Sequence, residues 1–449
     1  MTAAVVLFTR DLRVHDNPAL HAACAAAEHV VPLFVLDDEV LERFGAPNRI
    51  AFLLESLRDL DGSLRARGCA LVVRRGDVVA EAARCAREVG AEAVFLAEDV
   101  SWYSNRREQR LERAGLDARS FPGVTVIPPG QLAPSGGGHH FSVFTAYWNR
   151  WRVEVRRAAL APPPSIALPP GLDPGRVPDA AELSNRSASS ALPRGGESEG
   201  RRRLASWLET GLDRYPELRD DLAADATSRL SPYLHFGCVS PLEVVERSLG
   251  LTGSEEFVRQ LCWRDFNHQL LAARPEIVAQ DLRPRSDRWR DDELDFEAWK
   301  DGRTGYPIVD AGMRQLRAEG FMHNRARLVT ASFLTKHLYL DWRLGADHFA
   351  SLLVDGDLAN NTVNWQWVAG TGADSRPNRM FNPTRQALRY DPSGDYVRRH
   401  VPELAGVEGR AVHEPWRLGI LVASDYPAPL IDHEVAVSRF RTARGITER

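Results

Sequence analysis

Five short apolar runs mark the first third of the chain: Ala4–Thr9, Val30–Leu36, Ala70–Arg74, Ala93–Ala97 and Val124–Ile127. They are continuous rather than alternating, the pattern of strands covered on both faces. Between them apolar positions recur at helical spacing, most clearly over Ile50–Arg67. Strands of this kind separated by amphipathic helices predict a doubly wound α/β unit on a parallel sheet, with ligands at the carboxyl ends of its strands. The first run is followed by Thr9-Arg10-Asp11-Leu12-Arg13 instead of G-x-G-x-x-G, so a dinucleotide turn of the usual kind is not expected there.

The pattern changes at Pro162-Pro163-Pro164. Through Pro169-Pro170-Gly171 and on to Gly196 the chain is rich in Pro, Ser and Gly and has no periodicity. An aperiodic stretch of this length predicts a linker rather than a loop within one core. Beyond it helical spacing dominates and strand-like alternation nearly vanishes. The expected organisation is an α/β domain over 1–160, a linker over 161–198 and an all-helical domain over 199–449. A chain of 449 residues can give each domain its own core.

Lys+Arg of 57 against Asp+Glu of 61 gives a net charge of -4. Binding of polyanions by bulk charge is thereby excluded, and any nucleic-acid site must be a local patch. Lys300 and Lys336 are the only lysines, so the cations are nearly all arginine, which suits bidentate phosphate contacts. Five scattered cysteines with no C-x-x-C pair argue against a disulfide framework or a zinc site and for a reducing compartment. With no apolar run of membrane-spanning length, the expectation is a soluble cytoplasmic protein without a metal.

Eight of the eleven tryptophans lie in the helical half, and for any single one core packing is the ordinary role. Trp365-Gln366-Trp367 is different, because residues i and i+2 of a helix point about 200° apart and cannot enter the same one-sided core. One indole could face a cofactor and the other a stacking ligand. Thr227-Ser228-Arg229-Leu230-Ser231-Pro232 reads two ways. Ser231 could cap a helix with Pro232 at its first position, or the hydroxyls and backbone N–H groups could receive a diphosphate. Asp355-Gly356-Asp357, followed by Asn360-Asn361, could be a solvated turn, a carboxylate pair for acid–base work, a partner for Arg327, or a set of acceptors for a cofactor's ring N–H and hydroxyl groups.

In Trp263-Arg264-Asp265-Phe266, Thr304-Gly305-Tyr306-Pro307-Ile308-Val309-Asp310, Met322-His323-Asn324-Arg325 and Asp355–Trp367 the chain resembles the photolyase/cryptochrome family. Arg10–Arg13 near the start and Phe381-Asn382-Pro383 near the end extend the match, in order, over essentially the whole chain. Within that family it is most similar to microbial class I cyclobutane pyrimidine dimer photolyases.

The resemblance implies FAD within the helical domain, held by Tyr215, by the loop Thr227, Ser228, Arg229, Leu230 and Ser231, and by Asp355, Gly356 and Asp357 beside the flavin. Arg327 matches the arginine that pairs with Asp355, and Asn361 the asparagine that faces flavin N5 and favours a reduced working state. Trp365, Trp342 and Trp289 match an electron relay running from the flavin to the surface. Trp263 and Trp367 match the walls of a pocket for a dimer flipped out of UV-damaged DNA, with Asn324, Arg325 and Gln386 as polar neighbours. Flipping is required because a lesion inside a duplex cannot reach a buried cofactor. Arg219, Arg264, Arg325 and Arg379 are candidate phosphate contacts. Arg49, Asp99 and Arg106 in the first domain look more like the site of an 8-hydroxy-5-deazaflavin antenna than of a methenyltetrahydrofolate one.

Two positions depart from the family pattern. Gln260 replaces the usual pocket glutamate, keeping an amide donor but no acidic proton, and Leu328 replaces a methionine, losing the polarisable sulfur. The implied activity is light-driven splitting of cyclobutane pyrimidine dimers by an electron from photoexcited reduced FAD, a carbon–carbon lyase reaction carried out by a monomer. The alternative is a cryptochrome-type blue-light photoreceptor. Many of those carry a long C-terminal extension, whereas here Arg449 follows soon after the last family-like segment.

Overall fold

The structure, a computed structural model, describes residues 2–418 and 425–446. Strands β1 (Ala3–Leu7), β2 (His29–Asp37), β3 (Val72–Gly76), β4 (Ala93–Ala97) and β5 (Asp117–Phe121) form one parallel sheet in the order β3-β2-β1-β4-β5. Six helices accompany it: α1 (Pro18–Ala26), α2 (Asp38–Phe44), α3 (Pro47–Arg65), α4 (Val78–Val89), α5 (Trp102–Arg113) and α6 (Phe144–Trp151). Alternate residues of β1 feed different cores. Val5 and Leu7 join Val79 and Ala82 of α4, while Ala4 and Val6 join Leu20 of α1 and Leu57 of α3. Both faces are covered, which is why these strands read as unbroken apolar runs.

The fifth strand is a correction. It is Asp117–Phe121, not the expected Val124–Ile127. As an edge strand it carries exposed Asp117 and Arg119, which hide it from an apolar search. Val124–Ile127 is buried but leaves the sheet: the N–H groups of Val126 and Ile127 donate to the Asp265 carboxylate at 3.2 and 2.9 Å rather than to a ladder.

The Pro-rich segment is fastened along the sheet rather than hanging free. Ile166 N–H donates to the Arg67 carbonyl, Ala167 accepts from Val30 N–H, and Pro174 accepts from Val73 N–H at the β3 edge. Beyond it, among the described residues, come thirteen α-helices: α7 (Glu197–Thr210), α8 (Tyr215–Leu218), α9 (Ser231–His235), α10 (Pro241–Ser248), α11 (Ser254–Ala273), α12 (Glu293–Lys300), α13 (Pro307–Glu319), α14 (Asn324–Ser332), α15 (Trp342–Leu352), α16 (Leu358–Ala369), α17 (Pro383–Tyr390), α18 (Asp395–His400) and α19 (His433–Ala443). Outside the sheet, the one extended pairing among the described residues is the bridge Arg290–Leu340. α11 and α16 pack together at the centre, and α15 lies against α16. Asp357 starts α16 by accepting from Asn360 N–H, and Gly370, at φ 83°, ends it. Among the described residues no helix is long and apolar enough to cross a membrane.

Candidate functional site

α14, α15 and α16 bring the acidic segment and its partners together. Arg327 Nη2 on α14 donates to both Asp355 oxygens, at 3.1 and 2.9 Å, so the pair expected from the sequence forms. Asp357 is buried, forms an ion pair with Arg10 and lies 3.5 Å from His268 Nε2. Burial alone would raise its carboxyl, but His268 and Arg10 hold it well below the usual range. Asn361 donates to the Ala346 carbonyl at 2.9 Å. A Cβ on Gly356 would stand 2.8 Å from Arg49 Nη1, so the guanidinium would have to shift to admit one.

The Thr227–Ser231 loop settles its two readings partly. α9 begins at Ser231, whose side chain is exposed and caps nothing, so the expected Ser231 cap is absent. The Arg229 guanidinium turns to Asp225 and Glu319 and lies 4.6 Å over the Phe321 ring, so only its backbone, at φ 48°, belongs to the loop. Thr227 Oγ1 is buried with no hydrogen-bond partner among the described residues. Tyr215 packs edge-on against Trp207 and Phe257, and Trp207 Nε1 is likewise unpartnered among the described residues. On the α11–α16 side, Asn267 Oδ1 is a further buried polar atom with no hydrogen-bond partner among the described residues. Buried donors and acceptors left unpaired are costly. A ligand carrying phosphates, hydroxyls and ring N–H groups would satisfy them, so the residues present fit FAD.

Trp365 is 3% exposed and Trp342 1% exposed, whereas Trp289 is half-buried. Trp365 and Trp342 are thus both buried, and only Trp289 reaches toward the surface. Gly345 of α15 makes room for Trp365: a Cβ there would stand 2.2 Å from the indole. Arg290 N–H donates to the Tyr339 carbonyl at 2.9 Å, tying the Trp289 segment to the stretch just before Trp342.

Trp263 and Trp367 are both half-buried, on the packed helices α11 and α16. One face of Trp263 is covered by Phe144 of α6, with ring centroids 3.6 Å apart and planes 4° off parallel. Arg379 lies 4.9 Å over the Trp367 ring. Gln260 is half-buried and donates to the Glu256 carbonyl at 3.3 Å; Asn324 is exposed, and Leu328, Gln386 and Arg219 are half-buried. Arg325 pairs with Asp220 at 2.7 Å and stacks on Tyr390. Arg264 is a correction. It is 8% exposed and donates to the carbonyls of Val124 and Leu234, so it is a buried tie and not a phosphate contact.

The three antenna candidates do not share one cluster. Arg49 bonds the carbonyls of Ala350 and Leu353 in the helical part, Arg106 pairs with Glu39, and Asp99 pairs with Arg10 at 3.2 Å. Of these, only Asp99 lines a cleft of about 290 Å³ between the β4 end and α11, together with Glu98, Asn105, Thr125 and His268. Two structural residues carried no role in the sequence reading. Phe144 sits in a segment without periodicity and gave no signal. Asp265, quoted only as part of a motif, accepts from Val126, Ile127 and Trp151 Nε1 and joins both halves.

Two family models match: DNA photolyase over residues 4–167 and the FAD binding domain of DNA photolyase over residues 257–444. The chain is 54% identical over 456 residues to a deoxyribodipyrimidine photo-lyase of Streptomyces griseus, covering 99% of this chain and 100% of that protein. Its fold matches a bacterial class III photolyase from Agrobacterium tumefaciens with TM-score 0.92 at 34% identity, covering 99% of this chain and 97% of that one. It matches a Synechocystis sp. PCC6803 cryptochrome with TM-score 0.92 at 29% identity, covering 99% of each. A parallel sheet joined to a helical FAD-binding unit with a tryptophan-lined interior defines a class of FAD flavoproteins. The chain belongs to the photolyase/cryptochrome family.

Proposed function

We propose that this chain is a DNA photolyase that splits cyclobutane pyrimidine dimers in UV-damaged DNA. The observation that carries the reading is the placement of two half-buried indoles, Trp263 and Trp367, on packed helices, with buried Trp365 on the same helix as Trp367. Reduced FAD, when bound, supplies the photoexcited electron. Trp263 and Trp367 hold the flipped dimer by stacking, worth about 1–3 kcal/mol per base. Phe144 locks the Trp263 plane from behind. The amide of Gln260, on the same face of α11 as Trp263, donates to a dimer carbonyl. Thr227 Oγ1 and the backbone of the Thr227–Ser231 loop take the diphosphate, and Asp355, Asp357 and Asn361 orient the ring system. Trp289, Trp342 and Trp365 carry electrons inward when the cofactor is oxidised.

The domain division we propose is 1–160, 161–198 and 199–449, with an antenna at the Asp99 cleft, and the protein works as a cytoplasmic monomer. Damaged DNA is bound from one face, since the net charge of -4 offers no general attraction. The test is light-dependent repair of a thymine-dimer oligonucleotide by reduced protein. Repair in light and none in darkness supports the reading, and no repair in light overturns it.

A further inference from the structure

We propose that Lys336 is a positioning residue for damaged DNA: from inside the fold its ammonium clamps the loop between α16 and α17, and so holds Arg379 over the Trp367 wall of the pocket. The inference rests on the pocket reading given above. Lys336 lies in Phe333–Leu338, a π-helical turn between α14 and α15, and is 2% exposed. Widened turns of this kind are frequent at functional sites. The ammonium donates to the Pro377 carbonyl at 3.1 Å and to the Arg379 carbonyl. Among the described residues, the one other hydrogen bond from elsewhere in the fold to 377–381 is long, 3.4 Å from Arg444 Nη1 to Asn378 Oδ1. The earlier part of the loop is fastened separately, by Arg283 N–H to the Thr371 carbonyl and by Arg285 to that of Gly370. Lys336 therefore governs the later part, which is the part that reaches the pocket. There the Arg379 guanidinium lies 4.9 Å over the Trp367 ring and 5.2 Å over that of Phe381.

The charge on Lys336 matters because an ammonium makes stronger hydrogen bonds to carbonyls than an amine does. Four charged groups face it: Arg444 at the end of α19, Asp374 and Arg379 on the loop, and Asp287 just before Trp289. His337, its neighbour in the chain, is pushed down by burial to about 3 and is neutral, and the Phe440 ring of α19 lies 5.6 Å away. Burial pushes Lys336 down to about 7, with Arg444 and Arg379 acting in the same direction and Asp374 and Asp287 against it. When Arg379 meets a backbone phosphate beside a flipped dimer, its repulsion on Lys336 is offset. Lys336 then holds its proton more firmly in the complex than in the free protein, so binding takes up part of a proton. Its contribution to affinity is complete below about pH 7 and is lost as pH rises through the higher value of the complex.

Because Lys300 and Lys336 are the only lysines, Lys336 can be observed alone. In FAD-loaded Lys300→Arg protein grown with isotope-labelled lysine, the single lysine side-chain signal in NMR belongs to Lys336. In darkness it should titrate near pH 7 in the free protein, at higher pH with a thymine-dimer oligonucleotide, and unchanged with the undamaged one. Affinity of the wild type for the dimer oligonucleotide should fall above pH 7, by at most about tenfold per pH unit for one proton. Lys336→Met should bind the dimer about tenfold more weakly, the size of one charge-assisted hydrogen bond, with a flat pH profile. Its FAD content, its affinity for undamaged DNA and the repair yield of the saturated complex should match the wild type. A Lys336 signal that titrates alike with and without dimer DNA overturns the proposal, and that measurement needs no substitution of Lys336. Equal weakening on both oligonucleotides shows a general loss of fold and overturns it too. If the wild type binds dimer DNA no more tightly than undamaged DNA, the pocket reading falls, and the proposal with it.

Discussion

Arg10, just past the end of β1, forms an ion pair with Asp357, the cap of α16, while Asp99 beyond β4 holds the other side of the guanidinium at 3.2 Å. β1 and β4 are neighbours at the point where the strand order changes direction. A ligand-bearing edge of the sheet is thus joined by one side chain to the acidic segment of the helical site. The Asp357 side chain is 5% exposed and that of Arg10 21%, so the pair is substantially desolvated.

Arg10→Met should cost about 3–5 kcal/mol, because it breaks a buried ion pair and leaves Asp357 without its arginine partner. Arg10→Met combined with Asp357→Asn should cost less than Arg10→Met alone. Denaturant unfolding of both variants, with FAD content measured in parallel, checks this. Equal losses would show that the ion pair contributes nothing beyond packing.

Gly345→Ala should disturb the relay without touching a redox group. The new Cβ would stand 2.2 Å from the Trp365 ring and 2.5 Å from Leu334 Cδ2, so the indole must move. Overpacking of this kind costs about 1–3 kcal/mol. Light-driven reduction of oxidised FAD in the presence of a thiol should slow, as it should in Trp365→Phe. Dimer repair by chemically reduced Trp365→Phe should persist, since the relay is not on the repair path.

The sequence was most readable where burial is uniform and least where one residue serves two sides. β4 was expected at Ala93–Ala97 and is found there, because both faces are apolar. β5 was missed because an edge strand alternates with charge. Asp355 with Arg327 was legible through the family's ordered motif. Arg264 was misplaced because adjacent helical residues differ by about 100° in direction. That turn separates Trp263 at the half-open pocket from Arg264 in the buried seam, and linear order does not say which way the helix is rotated. Phe144 was out of reach, since its role exists only when α6 meets α11.

Acid should destabilise the protein through histidines that the fold keeps neutral. His323 and His348 are pushed down by burial to about 4 from an ordinary 6.5. Both remain neutral in the fold while the unfolded chain takes up protons, so stability is complete above pH 6.5 and falls as pH drops toward about 4. Each group contributes a slope of up to about 1.4 kcal/mol per pH unit. His348 Nε2 has no hydrogen-bond partner among the described residues, so His348→Leu removes one titrating group without breaking a bond made by that nitrogen. Urea midpoints between pH 7 and pH 4 should fall less steeply in that variant, and an unchanged slope would contradict the assignment.

Gln260 decides how the pocket treats the dimer after it has gained an electron. It lies one helical turn before Trp263 and Arg264 and is half-buried, with its amide donating weakly to Glu256 at 3.3 Å. That bond is long enough to be exchanged for one to a dimer carbonyl. If the family's glutamate serves as a hydrogen-bond donor, the amide substitutes with little loss. If it must give a proton to the dimer radical anion, the amide fails, and return of the electron competes with ring splitting. Each tenfold fall in a rate corresponds to about 1.4 kcal/mol of barrier. The expected outcome is repair by the wild type, with the yield per absorbed photon raised somewhat in Gln260→Glu at unchanged FAD content. Repair absent in the wild type and restored by Gln260→Glu would mark a photoreceptor descended from a repair enzyme. Absence in both forms would remove the repair assignment and leave the photoreceptor reading.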